Sequence, residues 1–224
     1  MKNSSGALNR TGLLKFIPKK SWERMSMPAK SDVIRVFLLY NYGGVWLDAT
    51  VCLTESLLTW LNMDVDFTTF IRHDSVAEKG TAVLRSQLNM FKNISMPDLV
   101  HFGKGTIRPW ITSWFMVSPP QGTMITALRN AVIKFWEERA KKNDGVEYFW
   151  LHRLFANIMS SNDTAIHKAF EPKAAVTADP YLCHGLSNPK VPPDLPMIKI
   201  KNCKPELRNS VLAKVQKLYG NKNR

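Results

Sequence analysis

The sequence predicts an α/β fold, and three consecutive features of one segment indicate it. Residues 31–42 are apolar around most of a helical turn, and Ser31 stands where a helix N-cap belongs. A Gly-Gly pair follows, where the left-handed backbone conformation that ends many helices costs little. Residues 45–47 then predict a short buried strand that ends at Asp48. A helix, a glycine turn and a buried strand in succession are typical of α/β proteins.

The rest of the chain also mixes predicted strands and helices. β-Branched and aromatic residues predict strands over 66–72 and 111–118. Apolar periodicity predicts helices over 123–142 (with Met124, Leu128, Ala131 and Phe135 on one stripe), about 147–160, and 205–219 (with Leu207, Val211, Val215 and Leu218 on one face). We expect a loop-rich lead-in with a short helix over 1–30, a helix and a long loop over 73–110, and an irregular proline-rich segment over 171–197.

Composition indicates a globular protein with a sizeable core. The chain has 224 residues, and 45% of them are hydrophobic, which is ordinary for a folded domain and too high for a disordered chain. No apolar run approaches the roughly 18 residues that a membrane-spanning helix needs. Three cysteines without close spacing argue against a disulfide framework and against a cysteine-based zinc site.

The excess positive charge lies in the two ends of the chain. Residues 1–30 and 199–224 together carry 15 basic and 2 acidic side chains, whereas residues 31–198 carry 16 of each, so the ends account for the net charge of +13. We therefore divide the chain into a basic lead-in, a core and a basic C-terminal strand and helix. Basic ends suit an anionic membrane surface or a polyanion, or are simply solvated. The neutral core disfavours the alternative of a nucleic-acid-binding module, and we expect no specific nucleic-acid partner.

Two carboxylates and a guanidinium form the candidate site. Asp32 and Arg35 are three residues apart on the predicted helix and share a face, which fits either a local ion pair or a binding site. Asp48 is expected at the carboxyl end of a strand, the edge at which open α/β sheets bind ligands. In extended geometry Thr50 would point the same way as Asp48. A carboxylate there can hold a divalent cation that bridges two phosphates.

Residues 31–58, SDVIRVFLLYNYGGVWLDATVCLTESLL, resemble the capsular polysaccharide synthesis family of glycosyltransferases. The resemblance rests on the signature S-D-x-x-R … Y-G-G-x-[WY]-x-D, which mannosyltransferases and glucosylating toxins related to that family share. It continues more loosely at 113–115, at 148–152 and, weakly, at 197–201, which is similar to the family's final lysine-containing strand. The resemblance implies a GT-A-type, Rossmann-related fold. It also implies sugar transfer from a nucleotide-sugar donor to a glycan acceptor, with retention of anomeric configuration.

The same resemblance implies roles for individual residues. Asp32 would contact ribose or sugar hydroxyls, Arg35 the sugar or the diphosphate, and Asp48 the donor sugar and a metal. Of these, Arg35 and Asp48 would be catalytic, by orientation and charge stabilisation rather than as nucleophiles. The backbone beside the donor would be shaped by Tyr42, Gly43 and Gly44. Independently of the resemblance, three side chains are candidates for the acceptor side because rings stack on sugar faces: Trp114, Tyr148 and His152. For Trp114 and His152 the alternative is a core or boundary position.

The chain departs from the family pattern in two respects. The relatives' Asp-x-Asp is Asp48-Ala49-Thr50 here, and a hydroxyl is a poor ligand for a hard cation. Dependence on Mn²⁺ or Mg²⁺ is therefore less expected, unless Asp179 or His184 completes the site. About thirty residues precede Ser31, too few for the strand–helix–strand unit that would cradle the nucleotide base. We expect an N-terminal truncation or another means of base binding, which leaves an inactive fragment of the family as the alternative.

Overall fold

The structure is a computed structural model that describes residues 12–72, 110–142, 146, 148–159, 161, 163–170, 196–200 and 205–219. Almost all of the predicted segments 73–110 and 171–197 lies outside these residues, as do Asp179 and His184. Among the described residues, no helix combines the length and the apolar character needed to cross a membrane.

Helices and short strands are mixed along the chain, as the sequence predicts. A 3₁₀-helix spans Leu13–Lys15. The α-helices of the described residues are α1 (Lys19–Arg24), α2 (Met27–Tyr42), α3 (Leu57–Trp60), α4 (Thr123–Lys142), α5 (Trp150–Met159), α6 (Thr164–Ala169) and α7 (Pro205–Tyr219). The strands are β1 (Gly44–Leu47), β2 (Val51–Leu53), β3 (Thr68–Arg72), β4 (Trp110–Ser118) and β5 (Met197–Lys199).

The strands form two small antiparallel sheets. One sheet has the order β1-β4-β3, and the other pairs β2 with β5. The predicted α/β class is therefore confirmed only as a mixture of helices and strands. The parallel-sheet edge that we used to explain the position of Asp48 does not occur in the described part of the chain. A relation to the GT-A and Rossmann folds stays a prediction.

Helix α2 begins before Ser31, so the predicted N-cap is wrong. The cap is Ser26, whose side-chain oxygen accepts a hydrogen bond from the Ala29 N–H at 3.4 Å. Pro28 lies in the first turn, where a missing N–H removes no helical hydrogen bond. The segment 1–30, which we expected to be rich in loops, therefore contains the start of α2, and Pro28 is part of that start.

The end of α2 is where the glycine pair predicts it. Gly43 has φ +64° and donates its N–H to the Leu39 carbonyl at 2.8 Å. A Cβ atom at Gly43 would lie 2.5 Å from Pro120 Cδ, so this position requires glycine both for its backbone conformation and for space. Gly44, with φ +92°, begins β1. The turn sends β1 back beside the helix that it follows.

Two hydrophobic clusters pack against β4. The larger one gathers the helices, with Phe37, Met116 and Leu128 fully buried in it, and it includes Leu13 of the lead-in. The smaller one contains Phe115 and lies beside the β2–β5 sheet. Phe115 and Met116 are adjacent in sequence and enter different clusters, as the alternation of side chains along a strand requires. Strand β1 is half-buried rather than buried as predicted, since it lies at the edge of the described three-stranded sheet.

Helix α4 has the predicted bounds but a different apolar stripe. Met124 and Leu128 are buried as predicted, whereas Ala131 and Phe135 are only half-buried. Val132 and Trp136 are buried in their place, because the C-terminal half of α4 turns towards α1 and α5. The contacts there are a hydrogen bond from Ser21 Oγ to the Trp136 carbonyl at 2.9 Å and a ring contact of Trp136 with Trp150 at 5.2 Å.

The other two predicted helices are also present. Helix α5 is shorter than the predicted range of 147–160, whereas α7 has the predicted bounds. On the predicted face of α7, Val211 is buried and Val215 is half-buried. The side chains of Leu207 and Leu218 lie outside the described residues.

Candidate functional site

Three side chains that the sequence predicts as a site meet in the structure. Arg35 Nη1 lies 3.1 Å from Asp32 Oδ1, and Arg35 Nη2 lies 3.3 Å from Asp48 Oδ1. Helix α2 supplies Asp32 and Arg35 on one face, and Asp48 follows β1, which the Gly43 turn returns beside that helix. The structure thus brings the strand carboxylate to the helix guanidinium, as expected. The functional roles of the three residues stay predictions.

A fourth charged side chain, Lys199, joins them. Its Nζ lies 2.6 Å from Asp48 Oδ2, and the pairing of β5 with β2 positions it opposite Val51. We did not predict Lys199 as a site residue. The signal that could have found it is the resemblance of residues 197–201 to a lysine-containing strand. We refer to Asp32, Arg35, Asp48 and Lys199 as the charged cluster.

Arg35 is held in position from several sides. Its guanidinium donates hydrogen bonds to the Ser113 carbonyl and to Ser31 Oγ, the latter at 3.1 Å. Its Cζ lies 5.1 Å from the centroid of the Trp46 ring, within the range of a cation–π contact. The residue is 4% exposed, and its Nε has no hydrogen-bond partner among the described residues. A buried N–H of this kind is uncommon, and an oxygen of a bound ligand could satisfy it.

Trp46 and the edge of the sheet hold Asp48. Trp46 Nε1 donates to Asp48 Oδ1 at 3.1 Å, because side chains two residues apart on a strand face the same way. The Asp48 N–H donates to the Trp114 carbonyl at 3.0 Å, which extends the β1–β4 pairing by one residue. Trp46 was part of the motif that we identified, but we did not predict its hydrogen bond to Asp48.

The Asp48-Ala49-Thr50 segment forms a turn. The Val51 N–H donates to the Asp48 carbonyl at 2.9 Å, and the chain reverses there from β1 into β2. The prediction that the Thr50 side chain points the same way as that of Asp48 assumed an extended backbone. That assumption is wrong, because a turn does not alternate its side chains as a strand does.

Burial divides the charged cluster into an inner and an outer side. The exposed side-chain fraction is 5% for Arg35, 10% for Asp32, 11% for Lys199 and 27% for Asp48. Burial raises the pKa of Asp32 to about 6, against the opposing effect of the Arg35 charge. Burial also acts to raise the pKa of Asp48, but the hydrogen bond from Lys199 and the Arg35 charge outweigh it and hold that pKa below its usual value.

The described residues around Asp48 do not fit a divalent cation. Asp48 Oδ1 faces Arg35 and Asp48 Oδ2 faces Lys199, so an incoming cation would be repelled by two positive charges at the oxygens it needs. Thr50 could add only a hydroxyl, a weak ligand for Mg²⁺ or Mn²⁺. Within the described ranges, no group of three or more His, Cys, Asp or Glu side chains could hold a metal ion.

The other predicted site residues are dispersed. Tyr42 is exposed at the end of α2, and Tyr148 is exposed before α5. His152 is buried on α5, with its ring 5.2 Å from that of Phe149. Trp114 lies against the charged cluster, with its ring centroid 5.4 Å from Lys199 Nζ. Of the three predicted acceptor residues, Trp114 therefore has a described contact with a member of the cluster.

A separate cavity of about 280 Å³ lies between α1, the start of α2, α4 and α5. Its lining includes the cations Lys20, Arg24 and Arg139 and none of its described lining residues is acidic. We refer to it as the basic cavity. Neither carboxylate of the charged cluster lines it, but Trp150 connects the two regions. Trp150 lines the cavity and also lies near the Asp32 carboxylate.

A comparison with known proteins finds a family match over most of the chain, well beyond the motif itself. A family model described as capsular polysaccharide synthesis protein matches residues 13–191. The matched range includes Asp32, Arg35 and Asp48 and ends before Lys199. No curated protein and no solved structure matches the chain.

Proposed function

This chain belongs to the capsular polysaccharide synthesis protein family, and from that premise we propose that it is a glycosyltransferase with a GT-A-type fold. Its donor would be a nucleotide sugar, its acceptor a glycan, and its donor site the charged cluster. One observation carries the proposal. The two halves of the motif, one on α2 and one after β1, meet through the Arg35–Asp48 contact at 3.3 Å, beside a buried Arg35 Nε–H that lacks an acceptor among the described residues.

Each residue of the motif has a distinct proposed task. Arg35 binds a diphosphate oxygen of the donor, a charge-assisted contact to which a guanidinium is well suited. Asp48, the most exposed member of the cluster, accepts hydrogen bonds from hydroxyls of the donor sugar. Asp32 accepts hydrogen bonds from ribose or sugar hydroxyls. The rigid support of Arg35 by Ser113 and Ser31 favours orientation of the donor without a large rearrangement.

The proposed reaction is a group transfer with retention of anomeric configuration. The bond between the anomeric carbon and the diphosphate oxygen breaks, and its electron pair leaves with the nucleoside diphosphate. The acceptor hydroxyl oxygen forms the new bond to the anomeric carbon, and its proton passes to the departing phosphate oxygen. The protein contributes orientation and stabilisation of the developing negative charge. No side chain acts as a nucleophile in this scheme.

A second candidate is a catalytically inactive member of the same family. The observation that favours it is the internal pairing of the charged cluster, in which both oxygens of Asp48 already have cationic partners. Under this second candidate, the charged cluster has a structural role alone and holds α2, β1 and β5 together. This candidate predicts that the chain binds no nucleotide sugar and no nucleoside diphosphate.

Turnover by an Asp48→Ala variant tests the proposal. Release of nucleoside diphosphate is measured from UDP-, GDP-, ADP-, CDP- and dTDP-sugars, with and without an oligosaccharide acceptor. We expect the wild-type chain to turn over at least one donor and Asp48→Ala to lose about 100-fold or more of that rate, because the donor sugar loses its acceptor of hydrogen bonds. The matched control is Asp64→Ala, which removes an exposed carboxylate and should retain full activity.

The outcomes separate the two candidates. Turnover that Asp48→Ala leaves unchanged contradicts the assignment of the donor site. A folded wild-type chain that neither turns over nor binds any of these donors contradicts the proposed activity and supports the inactive family member.

A further inference from the structure

We infer that Lys199, together with Arg35, supplies the positive charge for the donor diphosphate, so that the site works without a divalent cation. The inference deepens the proposed function of the charged cluster and rests on it. Its starting point is the disagreement between the motif and the structure. The motif implies a metal at Asp48, yet Lys199 Nζ lies 2.6 Å from Asp48 Oδ2 and Arg35 Nη2 lies 3.3 Å from Asp48 Oδ1.

The pairing of β5 with β2 fixes the position of Lys199. Lys199 pairs with Val51 directly after the Asp48 turn, and the Ile200 N–H donates to the Thr50 carbonyl at 2.9 Å. The Lys199 ammonium also lies 5.4 Å from the centroid of the Trp114 ring. These contacts come from both sides of the turn that carries Asp48. The ammonium is therefore positioned by the fold rather than reaching the site from a solvated surface.

Burial indicates which cation an incoming diphosphate meets first. The exposed side-chain fraction rises from 5% for Arg35 to 11% for Lys199 and 27% for Asp48. Asp48 is thus the most exposed member of the cluster, and the Lys199 ammonium lies directly against it. A phosphate that approaches Asp48 from solvent would be repelled by the carboxylate alone, and the adjacent ammonium offsets that repulsion. Lysine is well suited to this task because it binds phosphate as a compact point charge.

The inferred task is electrostatic and involves no proton transfer from Lys199. As the bond to the anomeric carbon breaks, its electron pair moves onto the departing phosphate oxygen. The Lys199 ammonium and the Arg35 guanidinium keep their protons and stabilise that charge. In many enzymes that transfer groups from phosphates, a divalent cation stabilises the negative charge on the departing oxygen. Here two protein cations in fixed positions can provide that stabilisation.

The test measures binding of nucleoside diphosphates by isothermal titration calorimetry. UDP, GDP, ADP, CDP, dTDP and inorganic pyrophosphate are titrated into the full chain with EDTA, and again with Mg²⁺ or Mn²⁺. The variants are Lys199→Ala, Lys199→Arg and Lys134→Ala. Lys134 is an exposed lysine on α4 and serves as the control for loss of one positive charge. Circular dichroism melts establish that each variant is folded at the temperature of titration.

We expect the wild-type chain to bind at least one diphosphate in EDTA, with an affinity that Mg²⁺ and Mn²⁺ change by less than about threefold. Loss of a charged hydrogen bond corresponds to about 10–100-fold in affinity, so Lys199→Ala should bind more weakly by that factor. Lys199→Arg should retain binding within about fivefold because it keeps the charge, and Lys134→Ala should match wild type.

Failure of the inference can be distinguished from failure of the proposed function. Diphosphate binding that requires Mn²⁺ or Mg²⁺, or binding in EDTA that Lys199→Ala leaves unchanged, overturns the role of Lys199 and keeps the donor site. If Lys199→Ala does not fold, Lys199→Arg with undiminished binding in EDTA supports the inference, and Lys199→Arg with binding lost overturns it. Absence of diphosphate binding by the wild-type chain under every condition overturns the proposed function itself.

Discussion

The charged cluster and the basic cavity both contain lysine and arginine side chains, but the surroundings of these cations differ. In the cluster, two cations contact two carboxylates at 2.6–3.3 Å and are largely buried. In the basic cavity, three cations line an open space of about 280 Å³ without an acidic side chain among the described lining residues. Paired buried charges hold a geometry and are costly to disrupt. Cations that line an open space contribute little to folding through that space but attract anions. The comparison predicts different responses to the same substitution in the two regions.

The largest difference should appear when an arginine is removed from each region. Arg35→Ala leaves the buried carboxylate of Asp32 and the half-buried carboxylate of Asp48 without their shared partner, and we expect it to lower the free energy of unfolding by about 3–5 kcal/mol. Arg139→Ala removes a half-buried cation that lies 5.2 Å from the Phe135 ring, and we expect a loss of about 1 kcal/mol or less. Urea unfolding monitored by tryptophan fluorescence measures both.

Equal losses of stability in these two variants would contradict the difference that we infer between the two regions. The variant Arg35→Lys separates the effect of charge from that of geometry, because lysine keeps the charge but cannot reproduce the forked contacts to Asp32 and Asp48. We expect Arg35→Lys to lie between wild type and Arg35→Ala.

A smaller effect concerns the pH dependence of stability. The pKa of Asp32 is raised by burial to about 6 in the folded chain, from 3.8. The folded state therefore holds this proton more tightly than the unfolded state. The stabilisation from the protonated form is fully present below pH 3.8 and is lost as the pH rises through 6. A shift of this size corresponds to about 3 kcal/mol at most.

The variant Asp32→Asn isolates this contribution. It cannot titrate, so its free energy of unfolding should rise relative to that of wild type as the pH increases from about 4 to about 7.5. Comparing the two proteins at each pH cancels the opposite trend from Asp48, whose pKa is lowered and whose stabilisation is lost as the pH falls. A wild-type chain that gains stability over Asp32→Asn with increasing pH would show that Asp32 is not penalised by burial.

Local features of the site were predictable from sequence. The spacing of Asp32 and Arg35 on a helix predicts their shared face, and the glycine pair predicts the turn that returns β1 beside α2. The ends of α4 and α7 follow from apolar periodicity. Each of these features depends on interactions between residues close in the chain, where helix and turn geometry are regular.

Features that depend on distant pairing were not predictable in the same way. Lys199 reaches Asp48 across 151 positions of the sequence, and the β2–β5 pairing that brings it there leaves no local signal. The start of α2 was misread because Pro28 fits the first turn of a helix as well as it fits a loop. Thr50 was misread because a three-residue motif does not reveal whether its backbone is extended or turned.

The most direct measurement is the position of a bound nucleoside diphosphate. A crystal structure of the chain with the nucleoside diphosphate that binds most tightly would compare the two regions in one experiment, since both offer cations to an anion. We predict that its phosphates lie within hydrogen-bond distance of Arg35, beside Asp48. A diphosphate bound among Lys20, Arg24 and Arg139 in the basic cavity, with the charged cluster unchanged, would contradict the central claim.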